Sequence, residues 1–101
     1  MPLQYYLRMP ALDAGRPVPH ADIRFERWLV SRRTILEALA PVAEVSFAGQ
    51  RFEILVKGRA MLAKPLLRPG GLICLGEPLA VMYADGEDVP ESEPSSLARR
   101  A

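Results

Sequence analysis

Apolar and polar positions along the chain change in short alternating runs bounded by proline and glycine, which predicts strands rather than helices. The clearest run is VAEVSFAGQRFEILV, Val42 to Val56. Alternation through Val42, Val45 and Phe47 meets Ala48-Gly49 and resumes through Gln50, Phe52, Ile54 and Val56, a pattern that reads as a β-hairpin opened by Pro41. Gly49 is its pivot, because a tight hairpin turn needs positive φ and glycine takes it without a Cβ clash. Leu3 to Met9 reads as a first strand stopped by Pro10, and Ala11 to Ala21, with Gly15, Pro17 and Pro19, as a surface loop. Ile23 to Val30 reads as a strand in which Phe25 and Trp28, three apart, break the alternation and predict a bulge near Arg27. Trp28 is expected as a buried core anchor. Ser31 to Thr34 is a polar turn, Ile35 to Leu39 a short apolar segment open to strand or a single helical turn, and Arg59 to Leu67 extended. Pro69-Gly70-Gly71 is a turn and Leu79 to Tyr83 a last strand.

The pattern also repeats. Ala40-Pro41-Val42-Ala43-Glu44-Val45 matches Glu77-Pro78-Leu79-Ala80-Val81-Met82 at an offset of 37, and the same offset pairs Leu29 with Leu66, Ile35 with Leu72 and Leu36 with Ile73. Two half-domains of short strands, neither able to bury its apolar face alone, are expected to pack face to face. The predicted fold is therefore all-β, a flattened β-barrel or sandwich of two small antiparallel sheets with pseudo-two-fold symmetry.

Length changes this picture little: 101 residues suit one domain and one core, burying roughly two-thirds of the surface of the unfolded chain. Apolar content falls away after Asp85. The folded domain is expected over residues 1–89, with residues 90–101 a disordered acidic, Pro- and Ser-containing tail. A net charge of +1 argues against a nucleic-acid or membrane footprint. Without a signal-peptide pattern or a long apolar span, the expected location is cytoplasmic.

Several anchors resemble the lipoyl and biotinyl attachment domain family, and in particular the lipoyl domains of 2-oxo acid dehydrogenase acyltransferases. Met9-Pro10-Ala11-Leu12 is similar to the opening of such domains, and Trp28-Leu29-Val30 stands where the family has Trp-x-Val. Ala43-Glu44-Val45 comes at the family's spacing, and Gly76-Glu77-Pro78-Leu79-Ala80-Val81 with Gly86-Glu87-Asp88 looks like the close of the domain. The resemblance implies an Asp-Lys-Ala at the hairpin tip, where the lysine carries lipoate. Here the matching residues are Ala48, Gly49 and Gln50. The attachment amine is missing, and so are the acidic residues that usually precede it, replaced by Ser46, Phe47 and Ala48. The biotinyl Met-Lys-Met is absent as well. Two Gly-Asp turn pairs of the family are replaced by Arg33-Thr34 and Leu39-Ala40, and the loop from Ala11 to Ala21 is longer.

With the acceptor lost, the resemblance implies a non-lipoylated, lipoyl-like binding or assembly module that holds no cofactor. It also implies a protein partner from a 2-oxo acid dehydrogenase-type multienzyme system. The candidate contact surface is Phe47, Ala48, Gly49 and Gln50 at the tip with Arg16 and His20 in the neighbouring loop. Phe47 is open to two readings, an exposed contact anchor or a side chain packed under that loop. The alternative function is a genuine swinging-arm carrier modified at a displaced lysine, Lys57 or Lys64, the only two in the chain. Against it, a ligase needs the amine on an exposed tip, and solvated surface charge accounts for both.

Catalysis has little to stand on. His20 with Asp22 has no nucleophile near it in sequence, and Cys74 lies between Ile73 and Leu75, where a thiol behaves as a small hydrophobe. One histidine and one cysteine do not make a metal site of the usual ligand count, so no metal ligands are assigned. The chain is not expected to be an enzyme. Arg24, Arg27, Arg32, Arg33, Arg51, Arg59 and Arg68 are balanced by 12 acidic residues, and a solvated surface explains them better than an acidic partner does.

Overall fold

The computed structural model of the protein describes residues 3–12, 23–84 and 96–101. Nine strands run through them in the order β1 Leu3–Arg8, β2 Ile23–Trp28, β3 Ile35–Leu36, β4 Pro41–Phe47, β5 Gln50–Val56, β6 Ala60–Pro65, β7 Leu72–Ile73, β8 Pro78–Ala84 and β9 Ser96–Arg100. No helix occurs among the described residues, so none is long and apolar enough to cross a membrane. All pairings are antiparallel and build two sheets, β1-β8-β6-β3 and β7-β2-β4-β5-β9. Neither closes on itself, so of the two expected forms the architecture is two open sheets and not a closed barrel. Inward side chains of both sheets, among them Leu7, Phe25, Val45, Ile54, Leu62 and Met82, fill one core.

The strands recur at the sequence offset. β2 and β6, β3 and β7, and β4 and β8 each begin and end 37 residues apart, and β4 and β8 have the same burial pattern position by position. Bulges recur too. The register shifts between Phe25 and Arg27 in β2 and between Leu62 and Lys64 in β6, so the bulge near Arg27 falls at Glu26 and its counterpart at Ala63. Backbone bonds between the halves are exchanged: Phe25 N–H donates to the Gly71 carbonyl at 2.8 Å, and Leu62 N–H donates to the Thr34 carbonyl at 3.1 Å. Arg33 and Leu39 are left-handed, with φ of 71° and 67°, and the residues 37 further on are Gly70 and Gly76, at 95° and 80°. A side chain in that region costs about 1 kcal/mol or more, which the glycines avoid.

Three expectations need correction. The tail expected to be disordered includes β9, which pairs along β5 from Phe52↔Arg100 to Val56↔Ser96 as an edge strand; residues 85–95 lie outside the described residues. Ser96 is buried, and its Oγ donates to the Arg8 carbonyl at 2.6 Å, tying the two sheets together at that end. A chain ending at residue 95 is therefore expected to lose about 1 to 3 kcal/mol, several cross-strand pairs' worth, in a urea titration against the full chain. Equal midpoints would make the strand dispensable.

Trp28 is not the buried anchor. It is half-buried at the rim of the core, its ring 4.9 Å from that of Phe25 and its Nε1–H donating to the Leu67 carbonyl at 3.0 Å. Phe25 and Phe52 are the largest fully buried side chains. The third correction, at Phe47, belongs to the hairpin tip.

Tyr5, packed against the core from β1, has its phenol pushed above the ordinary 10.0 by burial. The fold then holds the phenolic proton more tightly than the unfolded chain does, so this contribution is complete below about pH 10 and is lost as pH rises through the folded value. In Tyr5→Phe, melting temperature is expected to fall less between pH 9 and 11 than in the wild type. The same fall in both would remove Tyr5 from the account.

Candidate functional site

The hairpin tip is set by strand parity. β4 and β5 pair down to Phe47↔Gln50, which leaves Ala48 and Gly49 as a two-residue turn with φ of 51° and 81°. Left-handed backbone at both central positions is the type I′ geometry that matches the twist of the flanking strands. Gly49 is exposed, and a Cβ built there meets nothing within 4 Å, so a side chain at the tip is opposed by backbone φ alone.

Phe47 is not an exposed anchor. It lies on the face of β4 that carries Val45, is 7% exposed and belongs to the core. The described part of the tip surface thus reduces to Ala48, Gly49 and Gln50, whose Nε2 donates to the Arg51 carbonyl at 3.0 Å. It is a small uncharged knob. Arg16 and His20, assigned to the same surface, lie outside the described residues, as does Asp22.

The other candidates are dispersed. Lys57 is exposed just after β5, at the end of the hairpin away from the tip, and Lys64 is exposed on β6. Cys74 is half-buried beside Glu77, whose Oε1 accepts from the Cys74 backbone N–H at 3.2 Å. No group of three His, Cys, Asp or Glu side chains that could hold a metal ion occurs among the described residues.

The outer faces of the two sheets differ in a way that local sequence pattern does not reveal. On β2, β4 and β5 charges answer one another. Glu44 is 6% exposed, accepting from Arg51 Nη1 at 3.0 Å and facing Arg27 Nη2 at 3.6 Å; Glu26 accepts from Ser46 Oγ and faces Arg24 at 3.7 Å. Glu53 pairs with Arg99 of β9 at 2.6 Å. The other sheet carries the cross-strand row Gln4–Tyr83–Met61–Ile35, with Arg32, Arg33 and Lys64 beside it. None of those three cations has an acidic partner among the described residues. The available signal was the repeat itself: setting each half against the other shows where carboxylates are replaced.

Compared with protein-family models, curated proteins and solved structures, the chain matches none.

Proposed function

We propose that this chain is a lipoyl-like scaffold that has lost its acceptor lysine and works as a binding or assembly module. Its partner, on this reading, is a protein component of a 2-oxo acid dehydrogenase-type multienzyme system. The observation that carries the proposal is the hairpin tip, a two-residue turn at the position of the attachment lysine, where Gly49 stands exposed with open space around it and no amine.

The scaffold part of the reading includes an approximate two-fold relation between the halves. Its support is the 37-residue recurrence of strands, bulges and left-handed turns, together with the exchanged backbone bonds of Phe25 and Leu62. Strand order agrees: taken from one edge the first sheet is β1-β8-β6-β3 and the second β5-β4-β2-β7, with β9 added outside β5. The residues that carry the resemblance lie in strands, Trp28 at the end of β2, Ala43-Glu44-Val45 in β4 and Leu79-Ala80-Val81 in β8. Fold likeness alone does not fix a task, so the assembly role rests on the lost amine.

Co-expression with a lipoyl ligase and lipoate tests it. The expected intact mass is that of the unmodified chain, whereas lipoylation at Lys57 or Lys64 would establish the displaced carrier and overturn the proposal.

A further inference from the structure

We infer that the outer face of the β1-β8-β6-β3 sheet holds a binding site for a small organic phosphate. The inference stands apart from the lipoyl-like reading and does not use it. A concavity of about 300 Å³, at the small end for ligand sites, opens on that face. Arg32, Arg33 and Lys64 line it over a floor that includes Met61, Val81 and Tyr83. Lys64 and Arg33 make no side-chain bond among the described residues, and Arg32 spends only its Nε–H, donated to the Ala63 carbonyl at 2.8 Å. Three like charges around one hollow repel each other, and a bound anion relieves that repulsion.

The other half of the molecule indicates what is missing. Lys64 pairs across strands with Val81, as Arg27 pairs with Glu44 at the positions 37 residues earlier. Glu26, which faces Arg24, has Ala63 as its counterpart, also in the cavity wall. One sheet thus supplies carboxylates to its cations; the other keeps one of those cations, with Lys64 at the place of Arg27 and Met61 at that of Arg24, has Arg32 and Arg33 beside it, has small or apolar residues at both carboxylate positions, and has a hollow there. An external anion fits the charge left unanswered. Three cations favour a dianion over a monocarboxylate, and two guanidinium groups match phosphate oxygens in forked geometry. Met61, Val81 and Tyr83 suit a short apolar body attached to it.

A left-handed turn fixes where Arg33 sits at the hollow. Its φ is 71°, whereas Gly70 fills the corresponding turn in the other half. Leu39, which does not line the hollow, makes the same departure from Gly76, so the strain positions Arg33 and does not by itself mark a site. In this case the strained residue carries one of the three cations.

The full-length chain, labelled with 15N, is titrated with phenyl phosphate, inorganic phosphate and benzoate. Amide shifts are expected to cluster at Arg33, Met61, Lys64 and Tyr83, with phenyl phosphate binding most tightly. Arg33→Gly is expected to weaken phenyl phosphate about tenfold, the loss of one charge-assisted contact, while melting temperature holds or rises because glycine relieves the turn. Val81→Glu, which copies the Glu44 arrangement, is expected to abolish binding in a folded chain. The inference is overturned if millimolar phenyl phosphate produces no localised shifts, if shifts scatter over all the arginines, or if both variants bind as the wild type does. Benzoate binding as tightly as phenyl phosphate would overturn the phosphate assignment.

Discussion

Replacing Phe25 with alanine is expected to lower stability by about 3 to 5 kcal/mol, the usual cost of truncating a large aromatic side chain in a core. Phe25 is 0% exposed in β2, between the bulge at Glu26 and the inward residues of the facing sheet, and its ring meets Trp28 at 4.9 Å with a 55° tilt. Its backbone also joins the halves, accepting from Gly70 N–H and donating to Gly71, so the cavity left by alanine lies beside backbone bonds that hold β2 to the segment leading into β7 of the same sheet, which limits its collapse. Small domains hold about 5 to 15 kcal/mol in total, so this single change removes a large share. Trp28→Ala is expected to cost distinctly less, because the indole is only half-buried and rim water can replace part of its contact. Urea titrations of the two variants check the order. A Phe25→Ala loss below that of Trp28→Ala would mean that the core is centred elsewhere.

Much of the fold was legible because strand, turn and repeat each leave a local signature. The β4–β5 hairpin shows in the alternation around Ala48-Gly49, the bulge at Glu26 in the Phe25–Trp28 spacing, and the matched strands in the 37-residue offset. What was missed depends on partners distant in sequence. β9 reads as tail because Ser-Leu-Ala-Arg-Arg has one large apolar residue, Leu97, and that is 41% exposed; its pairing is a backbone ladder on an edge, which leaves no hydrophobic pattern. Trp28 looked central by size alone. Coming after the bulge and at the end of β2, it reaches the rim and satisfies its N–H on Leu67. For Phe47 the signal was present: two residues after Val45 on the same strand, it shares the inward face, and parity decides against the exposed reading.

The candidate site was legible in part. That Ala48-Gly49-Gln50 holds no lysine is a fact of the sequence and needs no structure. The absence of an aromatic side chain from the tip surface follows from Phe47 facing inward. The cationic hollow was hidden because Arg32, Arg33 and Lys64 look like scattered surface charge until strand pairing sets Lys64 against Val81, and β2–β4 pairing sets Arg27 against Glu44.

The second large effect is a gain of modification. On the lipoyl-like reading proposed above, Ala48→Asp, Gly49→Lys, Gln50→Ala installs an Asp-Lys-Ala acceptor tip on a hairpin whose register is set by Phe47↔Gln50 pairing. The open space around Gly49 accepts a lysine side chain, while its φ of 81° makes the replacement strained by about 1 kcal/mol or more, a cost that a folded domain of ordinary stability tolerates. The variant is first checked for a cooperative unfolding transition, then co-expressed with lipoyl ligase and lipoate beside the wild type, and both are weighed intact. The account predicts a lipoyl mass on the triple variant and none on the wild type; a wild-type chain that gains the lipoyl mass, or a well-folded triple variant that stays unmodified also when the lysine is moved one position to either side, would contradict it.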